Sequence, residues 1–422
     1  MKKLPIIVPI IIFTLLGALI FVFMFRKTNG QSVMLKKQSW WDIQSIDTMK
    51  YSRDVAREKA KDTTFDTEID TQVRLISETG ATHVAIATPY AEEFLPFLKR
   101  WIAAARKYEL KVWFRGNVPG WEGWFDYENI TREEHIRMIR EFILANGELF
   151  EEGDIFSSCP ECENGGPGDP RNTGDATGHR KFLIDEYRVT SDAFRKIGKN
   201  VRSNFAPMNG DVANLIMDKD TTRALGGIVV IDHYVGDKQK LAADIKEIAE
   251  KSGGRVILGE FGAPIPDIHG DLDPTEQALW IEEALNALAG IDELEGINYW
   301  TGFGGSTRLW EGNYKERPAV EVIKKYFKPV AVNGKVLDET GRGVGGAKIS
   351  LGGKITSADS DGKFIIAVIE EAHNLQVEAP GYYDQQIPEI MQQNLDITLA
   401  AKEESFIFKL RKMFYKIFSK FL

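Results

Sequence analysis

Between residues 40 and 327 the chain alternates a short apolar run with a longer amphipathic one, eight times over. The apolar runs are WDIQSID (41–47), THVAIAT (82–88), KVWFRGN (111–117), DIFSSCP (154–160), NVRSNFA (200–206), GIVVIDHY (227–234), RVILGEFG (255–262) and GINYWTG (296–302). Stretches between them, such as EEFLPFLKRWIAAARKYE and TREEHIRMIREFILANGELF, repeat apolar residues at i, i+3, i+4 and i+7, the period of a helix with one buried face. Eight strand–helix units in roughly 290 residues have the size of a (β/α)8 barrel. The competing arrangement is a doubly wound open sheet. No glycine-rich dinucleotide or phosphate loop follows the first strand, which disfavours it.

The pattern changes after Tyr326 and Pro329. Apolar and polar residues then alternate singly, and Asp-Glu-Thr-Gly (338–341) and Asp-Ser-Asp-Gly (359–362) mark turns between short strands. At the other end, Leu4 to Phe25 is an uncharged apolar run of 22 residues. At ~1.5 Å per residue it is long enough for a bilayer core of roughly 30 Å. No A-x-A-like cleavage site follows, so the expectation is an uncleaved signal anchor with the bulk of the chain outside the cytoplasm. In the last stretch, Ile407, Leu410, Phe414, Ile417 and Phe421 recur at helical steps among Lys409, Arg411, Lys412, Lys416 and Lys420. That is the pattern of a basic amphipathic helix lying on an anionic membrane. The expected layout is an anchor over 1–30, an α/β barrel over 31–329, a small all-β sandwich over 330–400 and the amphipathic helix over 401–422.

A net charge of −9 disfavours nucleic acid as a partner, and two cysteines exclude a disulfide framework. Those two, Cys159 and Cys162, form a C-x-x-C. No further Cys or His at useful spacing completes a zinc site, with His179 and His233 the nearest in sequence. A thiol redox site is the other reading of a C-x-x-C and would open a helix in a thioredoxin-like unit; two small buried residues shaping the fourth loop, or one local disulfide, are the expectation.

Two carboxyls stand out. Glu161 follows the fourth apolar run and Glu260 ends the seventh. In a barrel, reactive side chains stand at the C-terminal ends of strands, and glycosidic-bond cleavage needs a pair of carboxyls facing one cavity. Glu163 is a rival to Glu161, because alternate side chains of an extended strand share a face. In the third loop, RGNVPGWEGWFD, Arg115 and Asn117 can hydrogen-bond hydroxyls, and Trp121 and Trp124 can stack on sugar rings. Trp310 is a further aromatic candidate for an outer subsite.

With these residues in place, 40–327 resembles the clan of retaining glycoside hydrolases built on (β/α)8 barrels, and GEFG around Glu260 is close to the family 5 form. The resemblance implies Glu161 as acid/base and Glu260 as nucleophile, with Tyr234 near the nucleophile and Trp300 as the floor of the cleaved sugar's subsite. No metal or organic cofactor is implied. Pro160 stands where the clan usually has Asn, so contact with the sugar 2-hydroxyl falls to Asn164, Asn204 or Arg115. Asp232 stands where the clan has His, with His233 beside it. The later segment resembles a carboxypeptidase-regulatory-like β-sandwich, through Gly334-Lys335-Val336-Leu337-Asp338, AKISL (347–351) and TSADSDGKF (356–364). The function expected is a membrane-anchored enzyme at the cell surface that cleaves a β-linked polysaccharide. A carbohydrate-binding barrel without catalysis and a transglycosylase are the alternatives.

Overall fold

The computed structural model describes residues 39–369, 373–389 and 394–402. The expected anchor and C-terminal amphipathic helix lie outside them. Among the described residues no helix is long and apolar enough to cross a membrane.

Eight parallel strands form one curled sheet: β1 (Ile43–Asp47), β2 (His83–Ile86), β3 (Lys111–Phe114), β4 (Ile155–Phe156), β5 (Pro207–Asn209), β6 (Ile228–Asp232), β7 (Arg255–Phe261) and β8 (Leu294–Tyr299). Their order is β4-β3-β2-β1-β8-β7-β6-β5, as in a TIM barrel cut open between β4 and β5. A single bridge, Ile155 to Arg202, joins the two edges. Phe156 N donates to Arg202 O at 2.9 Å, Arg202 N to Asp154 O at 3.0 Å, and Glu161 N to Pro207 O at 2.7 Å. The fifth strand therefore corrects the sequence expectation. Residues 200–206 supply only the bridge, and the ladder with β6 begins at Pro207.

Side-chain parity explains what reaches the interior. Ile43, Trp113, Ile155, Ile228, Val230 and Ile257 form the apolar plug inside the sheet, while Val84, Val112, Phe114 and Leu258 join the layer under the helices. Counting by twos from the plug directs Asp47, Arg115 and Asp232 inward at the C-terminal strand ends. Glu260 has the wrong parity relative to Ile257. The register between β6 and β7 shifts there: Ile231 pairs with Leu258 but Asp232 pairs with Glu260, so Gly259 is one residue too many. That bulge turns Glu260 inward. A Cβ on residue 259 would lie 2.9 Å from Val230 Cγ1, so glycine is the residue that fits.

After the helix Pro318–Phe327 the chain enters seven antiparallel or mixed strands: β9 (Val330–Asp338), β10 (Lys348–Leu351), β11 (Lys354–Ser357), β12 (Lys363–Val368), β13 (His373–Glu378), β14 (Gln385–Glu389) and β15 (Asn394–Leu399). They make two small sheets, β11-β10-β13-β14 and β12-β9-β15. Val336, Phe364 and Ile397 of one share a core with Ile349, Leu375 and Val377 of the other. Lys354 reaches back to the barrel, donating to Trp40 O at 2.9 Å with its ammonium 4.4 Å from that indole's centroid.

Candidate active site

The inward residues at the C-terminal strand ends converge on one guanidinium. Arg115, from the end of β3, has its side chain fully enclosed. It lies 3.0 Å from Glu260, 3.2 Å from Asp232 and 3.5 Å from Asp47, and also donates to the Gly259 carbonyl. Burial draws the Arg115 pKa down, but the charges of Asp232, Glu260 and Asp47 outweigh it and hold the group above its ordinary value. Asn298 of β8 completes the floor, donating to Asp47 at 3.1 Å and to Gly259 O at 2.9 Å.

Above this base, one carboxylate oxygen each from Glu161, Asp232 and Glu260 lie within 4.8 Å of one another. Both oxygens of Glu260 are satisfied, Oε1 by Arg115 and Oε2 by the Tyr234 hydroxyl at 2.9 Å. Asp232 Oδ1 is buried without a partner. Burial first, then the charges of Glu260 and Glu161, push Asp232 well above the usual carboxylate range, against the pull of Arg115. Burial, and after it the Glu161 charge, raises Glu260 to about 7, while Arg115 and Tyr234 favour its ionised form. Glu260 therefore takes up its charge as pH passes about 7, while Asp232, raised further by burial with one oxygen unpartnered among the described residues, holds its proton above the usual carboxylate range.

Glu161 stands on the loop after β4 in the left-handed region, φ 48° and ψ 51°. Among the described residues no side chain hydrogen-bonds its carboxylate, so the backbone alone sets its position. Cys159 and Cys162, joined as a disulfide, bracket it. The rival Glu163 is buried, its Oε1 accepting from Asn209 N at 2.6 Å. Burial raises its pKa to about 7. Trp300 meets Tyr234 edge-on at 6.2 Å, with Lys50 Nζ 5.5 Å from its centroid. Trp124 is half-buried, with the Arg53 guanidinium 4.5 Å from its ring.

Several expected substrate contacts are corrected. Arg115 is the counter-ion of the acidic cluster and no hydroxyl binder: its Nη1 and Nη2 are committed there, and its Nε is buried without a partner among the described residues. Trp121 is buried, stacked on Phe182 at 4.9 Å and donating to Cys162 O at 3.0 Å. Trp310 is likewise core, stacked on Phe303 at 4.9 Å. His233 turns aside to Asp244, 2.9 Å away on the helix Lys238–Ser252. Asn204 lies at the opposite, N-terminal end of the strands, where a Cβ on Gly226 would come within 3.0 Å of its amide. Asn164 is exposed. Asn117 is buried, and Val118 N donates to its Oδ1 at 2.7 Å. That bond fixes the amide, so His135 Nε2, 2.8 Å from the same oxygen, must carry a hydrogen. His135 Nδ1 in turn meets Glu186 at 2.8 Å. Asn117 Nδ2 is left to face Glu122, 3.2 Å away.

Asp47, Asp232 and Glu122 are site carboxyls that sequence reasoning missed. The signal for the first two was present: each ends an apolar run, by the same rule that singled out Glu260. Burial raises Glu122 to about 8. Glu122, Glu163 and Glu260 therefore keep protons in the folded chain that the unfolded chain loses near 4.5. Their stabilising effect is complete below that pH and fades as pH rises toward 7 to 8. His83 and His179, which burial lowers to about 4 from 6.5, act oppositely, adding stability as pH rises between those values. Above pH 6.5 only the carboxyl effect remains. Thermal unfolding should therefore shift to lower temperature from pH 6.5 to about 8, and Glu122→Gln should flatten that slope; calorimetry across the range checks both.

No protein-family model matches the sequence, and no curated protein matches it. Among solved structures, the fold is similar to a Bacteroides uniformis β-glucuronidase, covalently bound to cyclophellitol-6-carboxylate aziridine (12% identity, TM-score 0.44, covering 79% of this chain and 44% of that one). It is also similar to a Dictyoglomus thermophilum β-D-glucuronidase (16%, TM-score 0.45, 70% and 51%) and to a GH113 β-1,4-mannanase (14%, TM-score 0.47, 69% and 99%). The chain spans about half the length of the two glucuronidases.

Proposed function

We propose that this chain is a retaining glycoside hydrolase, anchored at the cell surface, that cleaves a β-linked polysaccharide. One observation carries the reading: Glu161 and Glu260 present carboxylate oxygens within 4.8 Å of each other beyond the C-terminal ends of β4 and β7, Glu260 satisfied by Arg115 and Tyr234, and Glu161 without a side-chain partner among the described residues. Double displacement uses carboxyls ~5–5.5 Å apart, whereas inversion leaves room for water at ~6.5–9.5 Å.

In this reading Glu260 attacks the anomeric carbon. The C–O bond to the leaving group breaks as Glu161 donates its proton to that oxygen. Glu161, now a base, takes a proton from the water that releases the sugar from Glu260. Arg115 and the Tyr234 hydroxyl favour the ionised form of Glu260 against the pull of burial and aim it, and Trp300 offers the sugar a ring face beside it. Leu4–Phe25 is the anchor of this proposal, the basic C-terminal segment a second membrane contact, and the small β-domain a spacer resembling carboxypeptidase-regulatory modules.

The test is turnover of a panel of β-glucans, β-mannans and aryl β-glycosides, with the product anomer followed by NMR as it forms. Retention is expected, and a product of inverted configuration would overturn the mechanism. Glu161→Ala should lower turnover of phenyl glycosides by roughly 10²–10⁴-fold while sparing formation of the glycosyl-enzyme from dinitrophenyl glycosides, whose leaving group needs no proton. Equal losses in both would move the acid role to another carboxyl.

A further inference from the structure

Every side chain of the acidic cluster except one is held by its own hydrogen bonds. Glu260 has Arg115 and Tyr234, Asp47 has Asn298, Glu163 has Asn209 N, and Glu122 has Asn117. The Glu161 carboxylate has none among the described residues. Its place depends on a backbone with φ 48°, in a region that a residue with a Cβ enters only when its surroundings impose it. Cys159 and Cys162 span that residue, with their Cα atoms 5.3 Å apart. Both are buried against the third loop, where Trp121 Nε1 donates to Cys162 O at 3.0 Å and Asn117 Nδ2 approaches Cys159 Sγ at 3.9 Å.

A crosslink closing so short a loop removes the least entropy from the unfolded chain. Its effect is therefore local to the two residues it encloses, Pro160 and Glu161. We infer that the Cys159–Cys162 disulfide is a positioning device for Glu161, holding an otherwise unsupported carboxyl opposite Glu260. The inference rests on the reading of Glu161 as acid/base. It makes that step, and not nucleophilic attack, dependent on the disulfide.

The test compares the parent protein with Cys159→Ala/Cys162→Ala on phenyl and dinitrophenyl β-glucosides and β-mannosides. For the double variant, turnover of the phenyl substrates should fall at least about tenfold, as for loss of a general acid. The burst of dinitrophenol, which reports attack by Glu260, should persist. Azide, which attacks the glycosyl-enzyme without base assistance, should restore steady-state turnover of the dinitrophenyl substrate. A disulfide that merely stabilised the fold would lower burst and turnover together, and azide would restore nothing.

Amide exchange over residues 157–166 gives a readout that needs no substrate, and it should quicken in the variant while the other strand ends keep their protection. Should the variant fail to fold, the parent reduced by a water-soluble phosphine replaces it. The phosphine gives two electrons to the S–S bond and takes oxygen from water to become its oxide, and the protons complete two thiols. Unchanged exchange with unchanged leaving-group dependence would overturn the inference. Altered exchange in a parent that turns over no glycoside would overturn the catalytic reading of Glu161 and leave the brace standing.

Discussion

Glu260→Gln is expected to reduce turnover on the order of 10³–10⁵-fold, the range seen when one member of a reacting constellation is removed. An amide has no charge to place on an anomeric carbon and cannot form the ester intermediate. Its size is the same, its oxygen still accepts from Arg115, and the site keeps its shape. The unfolding temperature should therefore move by only a few degrees, separating lost chemistry from lost structure. Single-turnover kinetics with a dinitrophenyl glycoside, together with calorimetry of the same sample, make the comparison. Near-parent turnover would show that Glu260 is not the nucleophile.

Arg115→Met is expected to damage the fold instead. The guanidinium is enclosed by Asp47, Asp232 and Glu260 at 3.5, 3.2 and 3.0 Å. Its removal leaves three buried carboxyls without a counter-ion, a defect that costs on the order of 3–5 kcal/mol. At about 2–4 °C per kcal/mol in a domain of this size, the unfolding temperature should drop by roughly 10 °C. The acids would relieve the imbalance by holding protons to higher pH, so the loss should be greatest in alkaline buffer. Arg115→Lys should retain part of the stability, because one ammonium supplies the charge but not the fork that reaches three partners. Denaturant unfolding of the parent and both variants at two pH values tests the order.

The barrel was legible because covered parallel strands are apolar along their length. RVILGEF and GIVVID could hardly be anything else, and both appear as β7 and β6. The fifth strand was misplaced for the same reason. NVRSNFA alternates in the manner of a strand, while Pro207 looks like an end; yet at the sheet's open edge proline forfeits little, and pairing starts there. Within the site, Glu161 and Glu260 come together as their strand-end positions suggested, and Tyr234 meets Glu260 where the resemblance placed it. Arg115 was misjudged because position alone does not reveal whether a charged side chain meets solvent or three carboxyls drawn from β1, β6 and β7. Trp121 was misjudged because its partners, His135 and Phe182, lie on two later helices whose packing over the third loop the local sequence does not show. Asp47 and Asp232 were legible and overlooked, since strand-end carboxyls were sought as a pair.

The joint between β4 and β5 gives the molecule a seam. Elsewhere neighbouring strands pair over two or more residues, with bulges along β7, but here one bridge and a few backbone bonds close the ring, and the amide of Glu161 makes one of them to Pro207. A ring with one weak link opens at that link first. Any ligand gripped between Glu161 on one side of the seam and Glu260 on the far wall acts as a clasp across it, and thermodynamic linkage requires that whatever loosens the clasp also loosens the grip.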